Sequence, residues 1–205
     1  MILYDYWRSS AAYRVRIALN LKGINVERRS IDLVGGEHRG ADYRALAPAG
    51  LVPALELDDG RVLTQSIAIM RYLDAVAEPQ LWPTDPLEEA QVTAMALGIA
   101  CDIHPINNQR VLNYITGPLG ASEEQKRAWY AHWVQAGFAA LEQEVARHGG
   151  ACCFGDEPTA VDCCLVPQVY NARRFSVDLA AFPRLVAIDE ALRARPDFAA
   201  AAPEA

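Results

Sequence analysis

The chain has 205 residues, 52% of them hydrophobic, and a formal net charge of −7. That length and apolar content suffice for one large folded domain or two small ones. The negative balance excludes a general nucleic-acid binder, which needs a basic surface for phosphate.

Residues 2–7 are aromatic and β-branched and predict a strand. Ser9 and Ser10 then open an apolar-periodic stretch over 11–21, closed by Gly23, which predicts a capped helix. Residues 26–33 alternate like a second strand, Gly35 and Gly36 open a loop, and 42–47 predict a short helix ending before Pro48. Strands over 52–57 and 61–64 flank Asp58-Asp59-Gly60, where Asp-Gly supplies the positive φ of a tight hairpin. Ser66 is expected to cap a helix carrying Ile69, Met70, Leu73 and Val76 on one face.

The pattern changes at the proline-marked connector 81–86, and only helical periodicity follows. This predicts one domain over 1–80, a linker over 81–86 and an all-helical domain over 87–205. Asp85 as cap, Pro86 at the first helical position and Glu88 start a helix that runs towards Tyr114 and bends at Pro105. Ser122 starts the next, with Trp129, Trp133, Phe138 and Leu141 as a core stripe; Thr159 with Asp162 starts a third, and 183–193 form a last helix. The tail from Ala199 is expected to fray. Five cysteines, four of them in the adjacent pairs Cys152-Cys153 and Cys163-Cys164, show neither a disulfide framework nor zinc spacing, so no metal is expected. Cys101 reads as a small buried apolar residue. With no basic flank leading into an apolar run near Met1 and no span-length apolar stretch, the expectation is a cytoplasmic protein without membrane contact.

Residues 8–19, Arg-Ser-Ser-Ala-Ala-Tyr-Arg-Val-Arg-Ile-Ala-Leu, closely resemble the signature of zeta-class glutathione transferases, in which two serines and usually a cysteine precede an Arg-Val-Arg-Ile-Ala-Leu helix. Ala11 stands where that cysteine is expected. Residues 51–55, Leu-Val-Pro-Ala-Leu, resemble the family's cis-proline turn, and Gln65-Ser66 its γ-glutamyl pocket. Residues 101–110 and 172–179 resemble segments of the bacterial maleylacetoacetate and maleylpyruvate isomerases in that class. The resemblance implies an α/β plus all-α fold: a thioredoxin-like N-terminal domain of order βαβ-α-ββα followed by an all-helical domain. It also implies glutathione as cofactor, a homodimer and a small anionic substrate.

Glutathione must present a thiolate. Ser9 and Ser10 lie between the first strand and the first helix, where a hydroxyl donor and unpaired helix N–H groups both favour an anionic sulfur; capping is the competing role. A cis Val52-Pro53 would offer the Val52 amide and carbonyl to an extended peptide, and Gln65-Ser66 would supply donors to the γ-glutamyl carboxylate. His38 is a candidate for the glycyl end, against a solvated loop histidine. For the substrate's carboxylates and keto oxygen the arginine fork fits best. Arg8 beside the serines, and Arg110 and Arg174 in the segments that match the isomerases, are the candidates, with His104 and Asn108 as further ligand contacts. Arg14 and Arg16 are assigned to packing and ion pairing.

The resulting expectation is a cis–trans isomerase of a maleyl-keto acid, in which the thiolate adds to the double bond, rotation follows and the thiolate leaves again. A transferase, peroxidase or dehalogenase that consumes glutathione is the alternative. A non-catalytic stress protein is the third.

Overall fold

A computed structural model of the chain describes residues 1–203, which cluster into two compact units. One comprises Met1–Leu81 with the segment from Arg195; the other is Trp82–Ala194.

The first unit contains β1 (Ile2–Asp5), α1 (Ser10–Leu21), β2 (Glu27–Ser30), α2 (Ala41–Leu46), β3 (Ala54–Glu56), β4 (Val62–Thr64) and α3 (Ser66–Val76). The strands form one sheet in the order β2-β1-β3-β4, with β1 parallel to β2 and antiparallel to β3. Leu3, Ala54 and Leu55 are fully buried, as are Ala12, Val15, Ile17 and Ala18 of α1 and Ile69, Met70 and Leu73 of α3. The apolar stripes read from the sequence are therefore the core, except that Val76, the last residue of α3, is 56% exposed because the helix ends there. The strand expected over 26–33 is realised only as Glu27–Ser30, all four residues exposed, because β2 is the sheet edge and its charges protect it. Lys22, its side chain wholly buried, donates to Asp74 Oδ1 (2.9 Å), Ala77 O (2.7 Å) and Pro79 O (2.7 Å), fixing the chain beyond α3.

For the described part of the tail the expected fraying is corrected; residues 204 and 205 lie outside the described residues. Residues 195–203 belong to this first unit rather than to the helical one, and a short helix, α9 (Pro196–Ala199), packs on α1. Phe198 and Ala201 are buried, Asn20 Nδ2 donates to Asp197 O (2.9 Å), and Arg16 Nε donates to Ala201 O (2.8 Å). The segment docks because Phe198 buries an aromatic ring and a buried guanidinium requires acceptors.

In the second unit α4 (Pro86–Leu97) starts on Asp85, whose carboxylate accepts from Leu87 N and Glu88 N. The expected single bent helix is instead broken. A π-turn (Gly98–Ile103) and a 3-10 turn (Pro105–Asn107) precede α5 (Gln109–Thr116), because Pro105 has no N–H to continue the ladder. Helix α6 (Glu123–His148) begins in a Ser122–Gln125 capping box. It approaches the π-turn so closely that a Cβ on Gly137 would lie 2.3 Å from the Ile103 side chain. Helix α7 (Ala160–Arg174) begins in the expected Thr159–Asp162 box, and α8 (Pro183–Arg193) follows. Phe138 and Leu141 are core, but Trp129 and Trp133 are each 37% exposed, and Cys101 is exposed. Both assignments to the interior are corrected: Trp129 turns outward to donate its indole N–H to Ile106 O (3.0 Å), and Cys101 lies on the outer side of the π-turn. The other four cysteines are buried thiols, and burial pushes the Cys153 thiol well up.

Candidate functional site

Strand register gathers the first unit's candidate residues. Asp5, the last residue of β1, pairs with Ser30, the last of β2; Tyr4 pairs with Ala54, the first of β3; and Ala54 pairs with Thr64, the last of β4. The turn after β1 (residues 6–9), the loop after β2 (31–40), Val52-Pro53 before β3 and Gln65-Ser66 after β4 therefore all leave one end of the sheet. Segments remote in sequence become neighbours by strand pairing alone.

In the turn, Ser9 N donates to Tyr6 O (2.8 Å), and Ser9 caps α1, its Oγ accepting from Ala12 N (3.3 Å). Capping uses a lone pair, so the O–H is left to donate elsewhere. Ser9 is half-buried and Ser10 is buried. Arg8 stacks over the Trp7 ring (4.7 Å) and donates to Tyr6 Oη (3.2 Å), so its guanidinium is held by side chains of the same turn.

The Val52-Pro53 bond is cis. The loop is fixed from below by Tyr43 Oη donating to Leu51 O (2.9 Å), and from the side by Gly50, where a Cβ would meet His38 O at 2.8 Å and φ is +61°. This close approach requires glycine and brings the His38 segment against the cis-proline loop. His38 Nε2 accepts from Arg39 Nε (3.2 Å), and burial followed by the charge of Arg39 lowers the imidazole pKa, which favours the neutral ring.

Ser66 was expected to cap α3; it is the first helical residue instead. The cap position belongs to Gln65, at φ 68° and ψ 118° without a side-chain cap bond. A non-glycine residue held at positive φ has its side chain aimed by the backbone rather than by preference. The Ser66 hydroxyl accepts from Arg14 Nη1 (3.2 Å), both side chains being buried. Sequence reasoning gave Arg14 no part in the site; its signal, a second arginine on an apolar helix face, was present.

In the second unit Asn108 is the N-cap of α5, its Oδ1 accepting from Arg110 N (3.0 Å), and Arg110 is exposed in the first turn. His104 closes the π-turn through His104 N donating to Ile99 O (3.0 Å). Arg173 and Arg174 divide their work. Arg173 pairs with the buried Asp189, whose carboxyl is pushed up by burial and drawn down by Arg173 and Arg193. Arg174 is exposed, lies over Phe175 (5.1 Å) and donates to Asn171 Oδ1 (3.3 Å). One turn of α6 joins the two segments: Trp129 binds Ile106 O, and the adjacent Tyr130 stacks on Phe175 at 3.9 Å and 11°. Arg110 and Arg174 thus belong to segments held on consecutive residues of the same helix.

Residues 8–76 match the family model described as Glutathione S-transferase, N-terminal domain. The chain is 50% identical to a probable maleylacetoacetate isomerase of Vibrio cholerae, covering 100% of this chain and 96% of that protein. The chain belongs to the zeta-class glutathione transferases. The holo structure of a maleylpyruvate isomerase, a bacterial zeta-class enzyme, superposes with TM-score 0.95 at 45% identity over 99% of this chain and 97% of that one. A Methylobacterium extorquens AM1 maleylacetoacetate isomerase with bound malonate and glutathione gives TM-score 0.95 at 36% identity, over 99% and 96%. The expected thioredoxin-like unit and helical region are the fold of this class. Ala11, the departure from its signature, lies in the first turn of α1 and leaves the Ser9 cap intact. Among the described residues no group of three or more His, Cys, Asp or Glu is placed to hold a metal, and no helix is long and apolar enough to cross a membrane.

Proposed function

We propose that this zeta-class transferase is a glutathione-dependent cis–trans isomerase of a maleyl-keto acid, maleylacetoacetate or maleylpyruvate. The observation that supports the reading is that two exposed arginines, Arg110 and Arg174, lie on segments anchored to consecutive residues of α6 in a chain of net charge −7. A dianion is repelled by such a chain at long range and needs local cations to bind.

The residues at the sheet end fit glutathione. The N-terminus of α3, with Gln65, Ser66 and the buried Arg14 behind Ser66, is a donor set for the γ-glutamyl carboxylate. Val52 takes the peptide backbone and His38, neutral, the glycyl end; His104 and Asn108 are further contacts. When bound, glutathione supplies a thiolate that adds reversibly to the cis double bond and leaves after rotation, so the peptide is not consumed. Ser9 donates its hydroxyl hydrogen to the sulfur and keeps it anionic, with Ser10 and the α1 amides behind it. Arg110 and Arg174 hold the substrate's carboxylates, each such bond contributing about 1.5–3 kcal/mol. Arg8 faces the negative charge that gathers on the keto oxygen. The active form is a homodimer in the cytoplasm.

The deciding experiment follows both the maleyl chromophore and free thiol during turnover of maleylpyruvate and of maleylacetoacetate. Loss of the chromophore at constant thiol supports the isomerase, and the faster of the two identifies the substrate. One thiol lost per turnover would replace it with a conjugating transferase, and glutathione binding without turnover of either would leave a binding protein.

A further inference from the structure

Arg16 is a buried cation to which the proposed reaction gives no part. It is 4% exposed, and its guanidinium reaches three segments of the first unit. Nη1 donates to both carboxylate oxygens of Asp5 (2.8 and 3.0 Å), Nη2 to the carbonyl of Trp7 (3.0 Å) and Nε to the carbonyl of Ala201 (2.8 Å). Asp5 ends β1, Trp7 lies inside the turn that carries Arg8 and Ser9, and Ala201 follows α9. Charge balance alone does not require this arrangement, since Asp5 already has a second partner in Arg28 (2.7 Å). The two carbonyl contacts are the informative ones. Among the described residues the turn has one backbone hydrogen bond across its own span, from Ser9 N to Tyr6 O, beside the side-chain bond from Arg8 to Tyr6 Oη, and the planar fork of Arg16 ties it to the sheet and to the C-terminal segment at once. A lysine ammonium, a point charge on a flexible stem, cannot reach these three groups in one plane.

We propose that Arg16 is a positioning residue for the glutathione site: it fixes the turn of residues 6–9, and through it the docked segment 195–201 acts on the site. The inference rests on the reading that the turn, through Ser9, governs the thiol. A hydrogen bond to sulfur weakens steeply with misalignment, and displacement of a reacting group by about 1 Å costs up to about a hundredfold in rate.

The test uses the full chain with Arg16→Lys, with Phe198→Asp, whose carboxylate cannot stay in a fully buried seat, and with Arg28→Ala as a control that removes an Asp5 partner but none of the contacts of Arg16. Ser9→Gly is measured beside them. Ultraviolet titration of bound glutathione reads the thiol pKa, calorimetry reads glutathione Kd, and circular dichroism checks the fold. Arg16→Lys is expected to raise the thiol pKa by about one unit and lower kcat about ten- to a hundredfold, with Kd within about threefold because the γ-glutamyl pocket lies on α3. Phe198→Asp shifts both in the same direction by less, and Arg28→Ala shifts neither. If Arg16→Lys does not fold, Phe198→Asp decides. An unchanged thiol pKa in the folded variants, a rise in Kd as large as the fall in kcat, or an equal shift in Arg28→Ala overturns the proposal. A thiol pKa unmoved by Ser9→Gly but raised by Arg16→Lys would refute the role of Ser9 while supporting positioning of the turn; no shift in either overturns both.

Discussion

Ser9 has two tasks in this structure, and two substitutions separate them. As N-cap of α1 its oxygen accepts from Ala12 N; as the proposed thiolate donor its hydrogen points elsewhere. Alanine removes both, at a capping cost of about 1 kcal/mol, whereas glycine in the cap position costs only a few tenths. Ser9 sits at φ −69° and ψ 119°, which glycine adopts without difficulty. Both variants lose the same hydroxyl. A hydrogen bond to a charged partner contributes about 1.5–3 kcal/mol, equivalent at 1.36 kcal/mol per unit to a rise of about one to two units in the thiol pKa. The two variants are therefore expected to lose similar amounts of kcat near neutral pH and to regain rate as pH rises through the shifted thiol pKa, while urea melts place alanine about 0.5–1 kcal/mol below glycine. Glutathione Kd is expected to change little, because the contacts proposed for the peptide lie on α3 and the cis-proline loop. Rate losses that follow the stability order, with an unshifted pH profile, would show that Ser9 only caps the helix.

Arg110→Ala or Arg174→Ala should lower kcat/KM for the dianionic substrate about ten- to a hundredfold, the loss of about 1.5–3 kcal/mol, yet leave conjugation of an uncharged chloro-aromatic within a few-fold; equal losses for both would place these arginines outside substrate recognition. Lys22→Met leaves Asp74 and two carbonyls without their buried ammonium, and chemical denaturation of the first unit should show about 3–5 kcal/mol lost, with Lys22→Met/Asp74→Leu less destabilised than Lys22→Met alone. His38 has a lowered folded pKa, so the unfolded chain binds its proton more readily and its contribution to folding stability is present above the unfolded value of about 6.5 and is lost as pH falls through the folded one; urea melts of the first unit should weaken in acid, and His38→Gln should remove that part of the pH dependence. Ser176 ends α7 at φ 56°, with Ser176 N donating to Arg173 O and Val177 N to Ala172 O, so Ser176→Gly should stabilise the helical unit by about 0.5–1 kcal/mol in a thermal melt without affecting kcat.

The elements were legible wherever one local rule dominated. Asp85-Pro86, Ser122 and Thr159-Asp162 start helices because caps act within four residues, and Asp59-Gly60 turns the hairpin because Gly60 takes φ 82°. Local rules failed where distant chain decided the outcome. The tail looked frayed because its alanines carry no signal, and what docks it is Arg16, 185 residues away, together with the seat of Phe198. Trp129 and Trp133 fit an apolar stripe by spacing, but a 26-residue helix presents more than one face, and Trp129 Nε1 finds Ile106 O outside the core. Ser66 looked like a cap, yet the chain leaving β4 places Gln65 there at positive φ and gives the hydroxyl to Arg14. The same limit governs the site. The signature 8–19 and Gln65-Ser66 identify which residues to examine, but that they share one end of the sheet follows from Tyr4 facing Ala54 and Ala54 facing Thr64, pairings that no window along the chain contains. Arg14 and Arg16 show the consequence. Both sit on an apolar helix face, where an unpaired charge is costly, so their burial already required partners of high specificity. One partner is Ser66, in the proposed γ-glutamyl pocket, and another is the backbone of the turn that carries Ser9. Two residues assigned to packing and ion pairing therefore connect the core to the proposed site, and buried charge in the helix behind the turn that carries Ser9 is the sequence signal that would have found them.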